Sequence, residues 1–151
     1  SFTSKKPTII FMGDASAEED YVLGALGWAS TKKLPVLFIV EDNNLSILTE
    51  KKIRRNWNMH DVARSFKMRG YDLKDNPEEI INFQKYFFKE PILLNINTNR
   101  VLWHSGAEKD SDEVVYRYER EKKILGNVAE EIDKKLKNKI KIKWEKQLEK
   151  L

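Results

Sequence analysis

The sequence predicts an α/β domain, a parallel sheet with helices on both faces, followed by a long C-terminal amphipathic helix. Three observations predict it. Two short apolar runs, Thr8 to Met12 and Val36 to Val40, are separated by one helical segment and short connections. The second run, VLFIV, is apolar at every position, as suits a parallel strand covered on both faces. Near the C-terminus Leu125, Val128, Ile132, Leu136, Ile140, Trp144, Leu148 and Leu151 recur three or four residues apart, close to the helical period of about 3.6.

The elements follow in order. The first strand runs into Gly13-Asp14, a tight turn. Ser16 stands three residues before Glu19, the capping-box pattern, and opens a helix that continues to Lys32. Tyr21, Leu23, Ala25, Leu26, Trp28 and Ala29 give that helix a broad apolar surface. Gly24 and Gly27 thin it and predict the close approach of a neighbouring backbone. Lys33-Leu34-Pro35 ends the helix before the second strand, and Glu41 to Thr49 reads as a polar loop. Asp61 to Arg69 predicts a helix stopped by Gly70, and Tyr71 to Leu73 a short strand. Asn76-Pro77 opens a helix reaching Phe88, with the proline in a favoured first-turn position. Pro91 to Thr98 (PILLNINT) reads as a strand whose Asn95 and Asn97 make one face wetter, as near a sheet edge. Arg100 to Arg117 is loop-like and charged. The remainder is helical, and its apolar stripe requires a surface, from this domain or from a partner.

Composition narrows the function classes. The 151 residues are 40% hydrophobic and 34% charged, enough for one domain with a core. No apolar run approaches the roughly 20 residues that span a bilayer, and no apolar signal region follows Lys5 and Lys6. With no cysteine there is no disulfide framework, thiolate nucleophile or Cys-based zinc site. The two histidines, His60 and His104, are too far apart in sequence to suggest zinc. The net charge of +4 owes much to Lys134, Lys135, Lys137, Lys139, Lys141 and Lys143, interleaved with apolar residues on one helix. That is the pattern of a solvated face more than of a nucleic-acid footprint. Lys51, Lys52, Arg54 and Arg55 could touch phosphate, but a solvated loop near an acidic partner is the more ordinary reading, and His60 reads as a capping residue. Trp28, Trp57, Trp103 and Trp144 read as core or interface. Glu18, Glu19 and Asp20 read as an acidic first turn favoured by the helix dipole.

Chemistry concentrates in two loops, Gly13-Asp14-Ala15-Ser16 after the first strand and Asp42-Asn43-Asn44 after the second. Open α/β sheets bind ligands beyond the carboxyl ends of their strands, so both loops face one space. A carboxylate at Asp14, an amide oxygen at Asn43 and a loop carbonyl form the protein half of a hard-cation site. Magnesium takes about six oxygens near about 2.1 Å and shares them with phosphates and water. The turn before the helix adds backbone N–H groups suited to phosphate.

These residues, in this order, resemble the thiamine diphosphate motif. More narrowly, they resemble the α subunit of 2-oxo acid dehydrogenase E1 components of the pyruvate and branched-chain family. That family shows Gly-Asp-Gly, a helix, Lys-Leu-Pro with an apolar strand, and then Asn-Asn. Here the counterparts are Gly13-Asp14, Lys33-Leu34-Pro35, VLFIVEDNN and the tail Leu45-Ser46-Ile47-Leu48-Thr49. Thr98, Arg100, His104, Ser105, Tyr116 and Arg117 fall on a second family segment, so the resemblance runs from about Thr8 to Arg117.

The resemblance implies that Asp14 and Asn43 coordinate Mg²⁺ with the backbone carbonyl of Leu45 as third protein ligand. It implies that Ala15 and Ser16 offer backbone N–H groups to the diphosphate of thiamine diphosphate, and that His104 sits at the reacting end of the cofactor. The implied reaction is oxidative decarboxylation of a 2-oxo acid with acyl transfer to lipoamide. The implied partners are an E1 β-type subunit carrying the pyrimidine-binding domain and the lipoyl domain of an E2 acyltransferase, with no nucleic acid and no membrane. The setting is cytoplasmic, or alternatively the mitochondrial matrix.

Departures from the family accompany the match. Ala15 replaces the second glycine, so the phosphate turn must accept a Cβ. The loop between His104 and Tyr116 is longer than usual. Val115 stands where some eukaryotic relatives carry a phosphorylated serine, so that regulation is expected to be absent. The family's upstream half has no counterpart. Residues 1–117 are therefore expected to form a diphosphate- and Mg-binding α/β domain lacking that half, and residues 118–151 a helical extension packing on it or on a partner. The chain alone is expected to be inactive. Two alternatives stand beside this reading: a subunit of another thiamine diphosphate enzyme, transketolase-like or a decarboxylase, and a non-catalytic assembly or binding domain that keeps the fold.

Overall fold

The computed structural model describes residues 3–4, 6–102, 104 and 117–149. They divide into two compact units, Ser1–Lys109 and Asp110–Leu151. In the first, strands β1 (Thr8–Gly13), β2 (Val36–Asp42), β5 (Arg69–Lys74) and β6 (Ile92–Asn97) form one sheet in the order β1-β2-β6-β5, parallel throughout. A separate two-residue hairpin joins β3 (Leu45–Ser46) to β4 (Thr49–Glu50) within what the sequence presents as a polar loop.

The all-apolar β2 lies inside the sheet because both of its faces are covered. Val36, Phe38 and Val40 pack with Leu93 against Leu26 and Ala29 of α1 (Asp20–Lys32) and Met59 and Ala63 of α3 (Met59–Ser65). On the opposite face Leu37 joins Leu73, Ile92, Leu94 and Ile96 beneath Ile80, Phe83, Tyr86, Phe87 and Phe88. This second cover comes from α4 (Pro77–Ile81) and the 3₁₀ turn Gln84–Tyr86. Helices therefore lie on both faces of a parallel sheet, as the sequence predicts. The second cover does not reach the edge strand β1. Ile9 and Phe11, in register with Leu37 and Ile39, remain 48% and 64% exposed.

Several elements differ from their sequence expectations for identifiable reasons. The segment PILLNINT is not near an edge: β6 pairs with β2 on one side and β5 on the other. Its buried Asn95 stays there by donating to Asp42 and Asp72. The capping box at Ser16 does not form. Ser16–Glu18 is a 3₁₀ turn, Glu19 is extended at ψ 142°, and α1 begins only at Asp20 with no side-chain cap. The helix predicted from Asp61 instead spans Met59–Ser65 with Asn58 at its N-cap, so His60 is not a cap. Gly70 does not stop it either. Lys67, at φ 60°, makes the turn, while Gly70 sits within β5 where a Cβ would lie 2.2 Å from the His60 carbonyl oxygen. Neither Gly24 nor Gly27 is approached by a backbone: Gly27 lies beside the Phe66 ring and Gly24 faces open space. The expectation at Asn76-Pro77 holds: Pro77 stands in the first turn and the Asn76 side chain accepts the Glu78 N–H at 3.0 Å. That helix is shorter than expected and ends at Ile81.

The second unit contains α5 (Arg117–Leu125) and the long α6 (Asn127–Leu148). The single predicted helix is broken at Gly126, whose φ of 55° is a conformation that glycine adopts without penalty. Tyr118, Leu125, Ala129, Ile132 and Leu136 line an apolar groove of about 190 Å³ between the two helices. Farther along the stripe Ile140, Trp144 and Leu148 are exposed.

The two glycine environments lead to opposite expectations. Gly70→Ala drives a Cβ into a backbone carbonyl and should cost about 1–3 kcal/mol or more. Gly24→Ala fills open space on an exposed helix surface and should gain roughly 0.5–1 kcal/mol. Urea denaturation of the two variants checks this, and equal midpoints would contradict the packing described.

Candidate functional site

β1 and β2 are adjacent and parallel, with Gly13 beside Glu41. The next residue on each strand is an aspartate, and both are buried, Asp14 to 2% exposure and Asp42 to 3%. A buried carboxylate is costly unless it is paired. The partners come from the short helix α2 (Lys51–Arg54), which follows the β3–β4 hairpin. Lys51 and Arg54, three residues apart, lie on one face of that turn. Lys51 Nζ donates to Asp42 Oδ2 at 2.5 Å, and Arg54 Nη2 pairs with Asp14 Oδ2. Arg55 continues inward: its Nη1 reaches the Asp14 carbonyl at 3.5 Å and its guanidinium stacks 4.7 Å from the Trp57 ring centroid. Glu18 Oε1 lies 3.2 Å from Arg54 Nη2 and 3.5 Å from Arg55 Nε.

The two aspartates are in different electrostatic states. Burial pushes the Asp42 carboxyl up, but the Lys51 ammonium, the Asn44 N–H at 3.0 Å and the Asn95 amide at 3.2 Å outweigh it and hold the group below 3.8. Burial also pushes Asp14 up. Arg54 and Arg55 offset this only in part, Asp42 adds repulsion, and Asp14 ends above 3.8. Asp14 is thus paired with Arg54 but only partly compensated. The guanidinium groups have the complementary need. Arg54 Nε and Nη1 and Arg55 Nε are buried with no hydrogen-bond acceptor among the described residues, and Glu18 Oε1 likewise makes no formed hydrogen bond. Native proteins rarely leave such groups unmatched. A cation for Asp14 and an anion for the guanidinium groups would match both.

The other residues singled out in the sequence are placed as follows. Asn43 is half-buried, and its Oδ1 accepts the Leu45 N–H at 2.9 Å, leaving a second lone pair. The Lys51 N–H donates to the Asn44 carbonyl at 2.9 Å, so by antiparallel alternation Leu45 and Glu50 face each other as a non-hydrogen-bonded pair. The Leu45 carbonyl therefore turns away from the ladder. Ala15 has φ −73° and ψ −41°, in the right-handed region, so a Cβ in place of the family's glycine is accommodated. Ser16 is exposed and opens the 3₁₀ turn. His104 is an exposed turn residue, while Trp103, Ser105, Val115 and Tyr116 lie outside the described residues. The chain leading toward His104 is tied to the site, since the Thr98 N–H donates to the Asp42 carbonyl at 2.8 Å and Arg100 Nη1 to the Ile47 carbonyl at 2.6 Å.

Lys51, Arg54 and Arg55 are a correction to the sequence reading, because they are ion-paired at the strand ends and not solvated. Lys52, by contrast, is exposed. A signal was available: four basic residues within Lys51 to Arg55, soon after the loop that carries Asp42. Glu18 is likewise committed to these arginines and does more than serve a helix dipole. No three His, Cys, Asp or Glu side chains gather in a metal-binding group among the described residues. A cation at Asp14 would therefore depend on amide, carbonyl and ligand oxygens. Among those residues, too, no helix is long and apolar enough to cross a membrane.

Comparison with known proteins gives a consistent picture. The family model described as dehydrogenase E1 component matches residues 3–141. The chain is 32% identical over 121 residues to the pyruvate dehydrogenase E1 component subunit alpha of Rickettsia typhi (strain ATCC VR-144 / Wilmington), covering 74% of this chain and 35% of that protein. It is 31% identical over 133 residues to the same-named protein of Rickettsia prowazekii (strain Madrid E), covering 80% and 40%. The chain thus spans well under half the length of these relatives. Among solved structures it is similar to a transketolase from Leishmania mexicana, with TM-score 0.52 and 17% identity over 61% of this chain and 15% of that one. A transketolase from Pichia stipitis gives 0.50 and 18% over the same shares. At these identities the structural likeness speaks for the fold alone.

The paired strand-end carboxylates predict a pH effect whose sign follows from Asp42. Below about pH 3.8 the unfolded chain protonates Asp42 before the folded chain does, so stability falls with pH until the folded carboxyl also takes a proton. Asp42→Asn should be less stable than the parent near neutral pH, and its thermal midpoint should depend less steeply on pH below 3.8. Parallel midpoint curves for parent and variant would contradict the assignment.

Proposed function

The chain belongs to the dehydrogenase E1 component family, and from that premise we propose that it is the diphosphate- and magnesium-binding part of a thiamine diphosphate-dependent 2-oxo acid dehydrogenase E1 of α type. The observation that carries the reading is the juxtaposition at the β1 and β2 ends. An under-compensated buried carboxylate at Asp14 stands beside the Asp42-Asn43 loop, and buried guanidinium donors without acceptors lie next to both.

In this reading Asp14 Oδ, Asn43 Oδ1 and the Leu45 carbonyl hold Mg²⁺, and the backbone N–H groups of Ala15 and Ser16 face the diphosphate. Asp42 is a positioning residue. Fixed by Lys51 and Asn95, it accepts the Asn44 N–H and sets the shape of the loop that presents Asn43 and Leu45. When bound, thiamine diphosphate supplies the electron sink for decarboxylation of a 2-oxo acid. His104 positions or protonates the substrate at the reacting end. Residues 1–117 form the cofactor-binding part and residues 118–151 the extension that packs on it or on a partner.

The reaction requires an E1 β-type subunit with its pyrimidine-binding domain, and an E2 lipoyl domain to receive the acyl group. This chain alone is inactive. The bare apolar surface on β1, at Ile9 and Phe11, supports a requirement for further protein against this domain, since an uncovered apolar edge strand is otherwise an aggregation site. The exposed Ile140, Trp144 and Leu148 of α6 support a partner in the same way. In this reading the setting is the cytoplasm or, alternatively, the mitochondrial matrix.

Calorimetric titration of thiamine diphosphate into the assembly with its β-type subunit tests the reading. Asp14→Ala and Asn43→Ala should each abolish Mg²⁺-dependent binding while the fold is retained. His104→Ala should keep cofactor affinity and lose turnover by about 10²–10⁴-fold. Unchanged affinity in either metal-site variant would overturn the site, and turnover within a few-fold of the parent would remove His104 from it.

A further inference from the structure

Arg54 stands where the reading above places a cation. Its Nη2 pairs with the buried Asp14 carboxylate, its side chain is only 14% exposed, and its Nε and Nη1 are buried without an acceptor among the described residues. Arg55 is still more enclosed at 1% side-chain exposure, sits over the Trp57 ring, and its Nε faces Glu18 Oε1 at 3.5 Å without a formed hydrogen bond. A buried guanidinium with one nitrogen on a carboxylate and two donors unused can join that carboxylate to an anion. A divalent cation between a carboxylate and a phosphate makes the same connection. Arginine also suits phosphate oxygens through paired N–H donors in a fixed fork.

We propose that Arg54 is a diphosphate-binding residue that takes the cation's place on Asp14. With Arg55 it gives this chain an affinity for diphosphate that does not require a metal, and Arg54 and a divalent cation are alternative partners of Asp14. The proposal rests on the diphosphate assignment of the preceding subsection and departs from it on the need for metal. It also accounts for charge. Asp14, Asp42 and Glu18 are matched one for one by Lys51, Arg54 and Arg55, so a divalent cation entering at Asp14 must displace a cation already there. Diphosphate is favoured over monophosphate because the Arg54 donors and the Arg55 Nε, ion-paired with Glu18 but without a formed hydrogen bond, belong to two separate guanidinium groups.

The test is calorimetric titration of inorganic pyrophosphate, and separately orthophosphate, into the 151-residue chain, in EDTA and in Mg²⁺. The parent should bind pyrophosphate in EDTA, and orthophosphate at least about tenfold more weakly. Arg54→Gln should lose about tenfold or more of the EDTA affinity and bind pyrophosphate only when Mg²⁺ is present, because Asp14 is then open to the metal. Lys52→Gln, on the exposed side of the same turn, should match the parent. If Arg54→Gln does not fold with Asp14 unpaired, Arg54→Gln/Asp14→Asn removes the buried charge and should also lose the EDTA binding. Absence of pyrophosphate binding in EDTA, equal affinity for orthophosphate, or an unaffected Arg54 variant would overturn the proposal. If the parent binds pyrophosphate in Mg²⁺ but not in EDTA, this inference fails and the metal site stands. If it binds under neither condition, the diphosphate assignment falls with it.

Discussion

A carboxylate cannot stay charged inside a protein without a partner, and this fold buries two of them side by side. Asp14 and Asp42 arrive together because β1 and β2 are parallel neighbours that end at the same level. Much of the nearby chain is arranged around that constraint. The hairpin β3–β4 brings α2 over the strand ends, Lys51 and Arg54 share one face of its single turn, and Arg55 extends inward over Trp57. Without those cations the sheet would end in two uncompensated charges. Without the carboxylates the arginines would have no reason to be buried.

The compensation is uneven, and the unevenness carries the functional meaning. Asp42 is fully engaged: an ammonium, a backbone N–H and the Asn95 amide meet it, and its role is to fix the loop bearing Asn43 and Leu45. Asp14 is engaged by Arg54, yet burial holds its carboxyl above its usual value, while the arginines keep donors without a formed hydrogen bond. A finished structural ion-pair network would satisfy its members on both sides, since half-satisfied buried networks are costly. The unmatched groups of this network lie at the carboxyl ends of parallel strands, where open α/β sheets bind their ligands.

Parts of this were legible in the sequence. The unbroken apolar run of β2 announced a strand covered twice, and Asp14 and Asn43 stood out as oxygen donors after successive strands. Other parts were hidden because they depend on partners distant in sequence. Asn95 and Asn97 read as a wet edge, yet Asn95 is central because Asp42 and Asp72 accept from it across neighbouring strands. Arg54 reads as solvated until the fold sets it on a carboxylate 40 residues away. Gly70 reads as a helix stop because glycine commonly ends helices, and only the packing of β5 on α3 shows that it is needed for space. Gly126 went unnoticed because the apolar spacing continues across it while the backbone turns.

The central claim is that the β1 and β2 loops together hold a cation bridged to a diphosphate. Manganese can replace magnesium at such oxygen sites, and its unpaired electrons broaden the resonances of nearby amides. Amide spectra of the chain with thiamine diphosphate should therefore show, on adding Mn²⁺, selective loss of the signals of Asp14, Ala15, Ser16, Asn43 and Leu45, with those of α4 unchanged. Broadening centred elsewhere, or none at saturating Mn²⁺, would contradict the account.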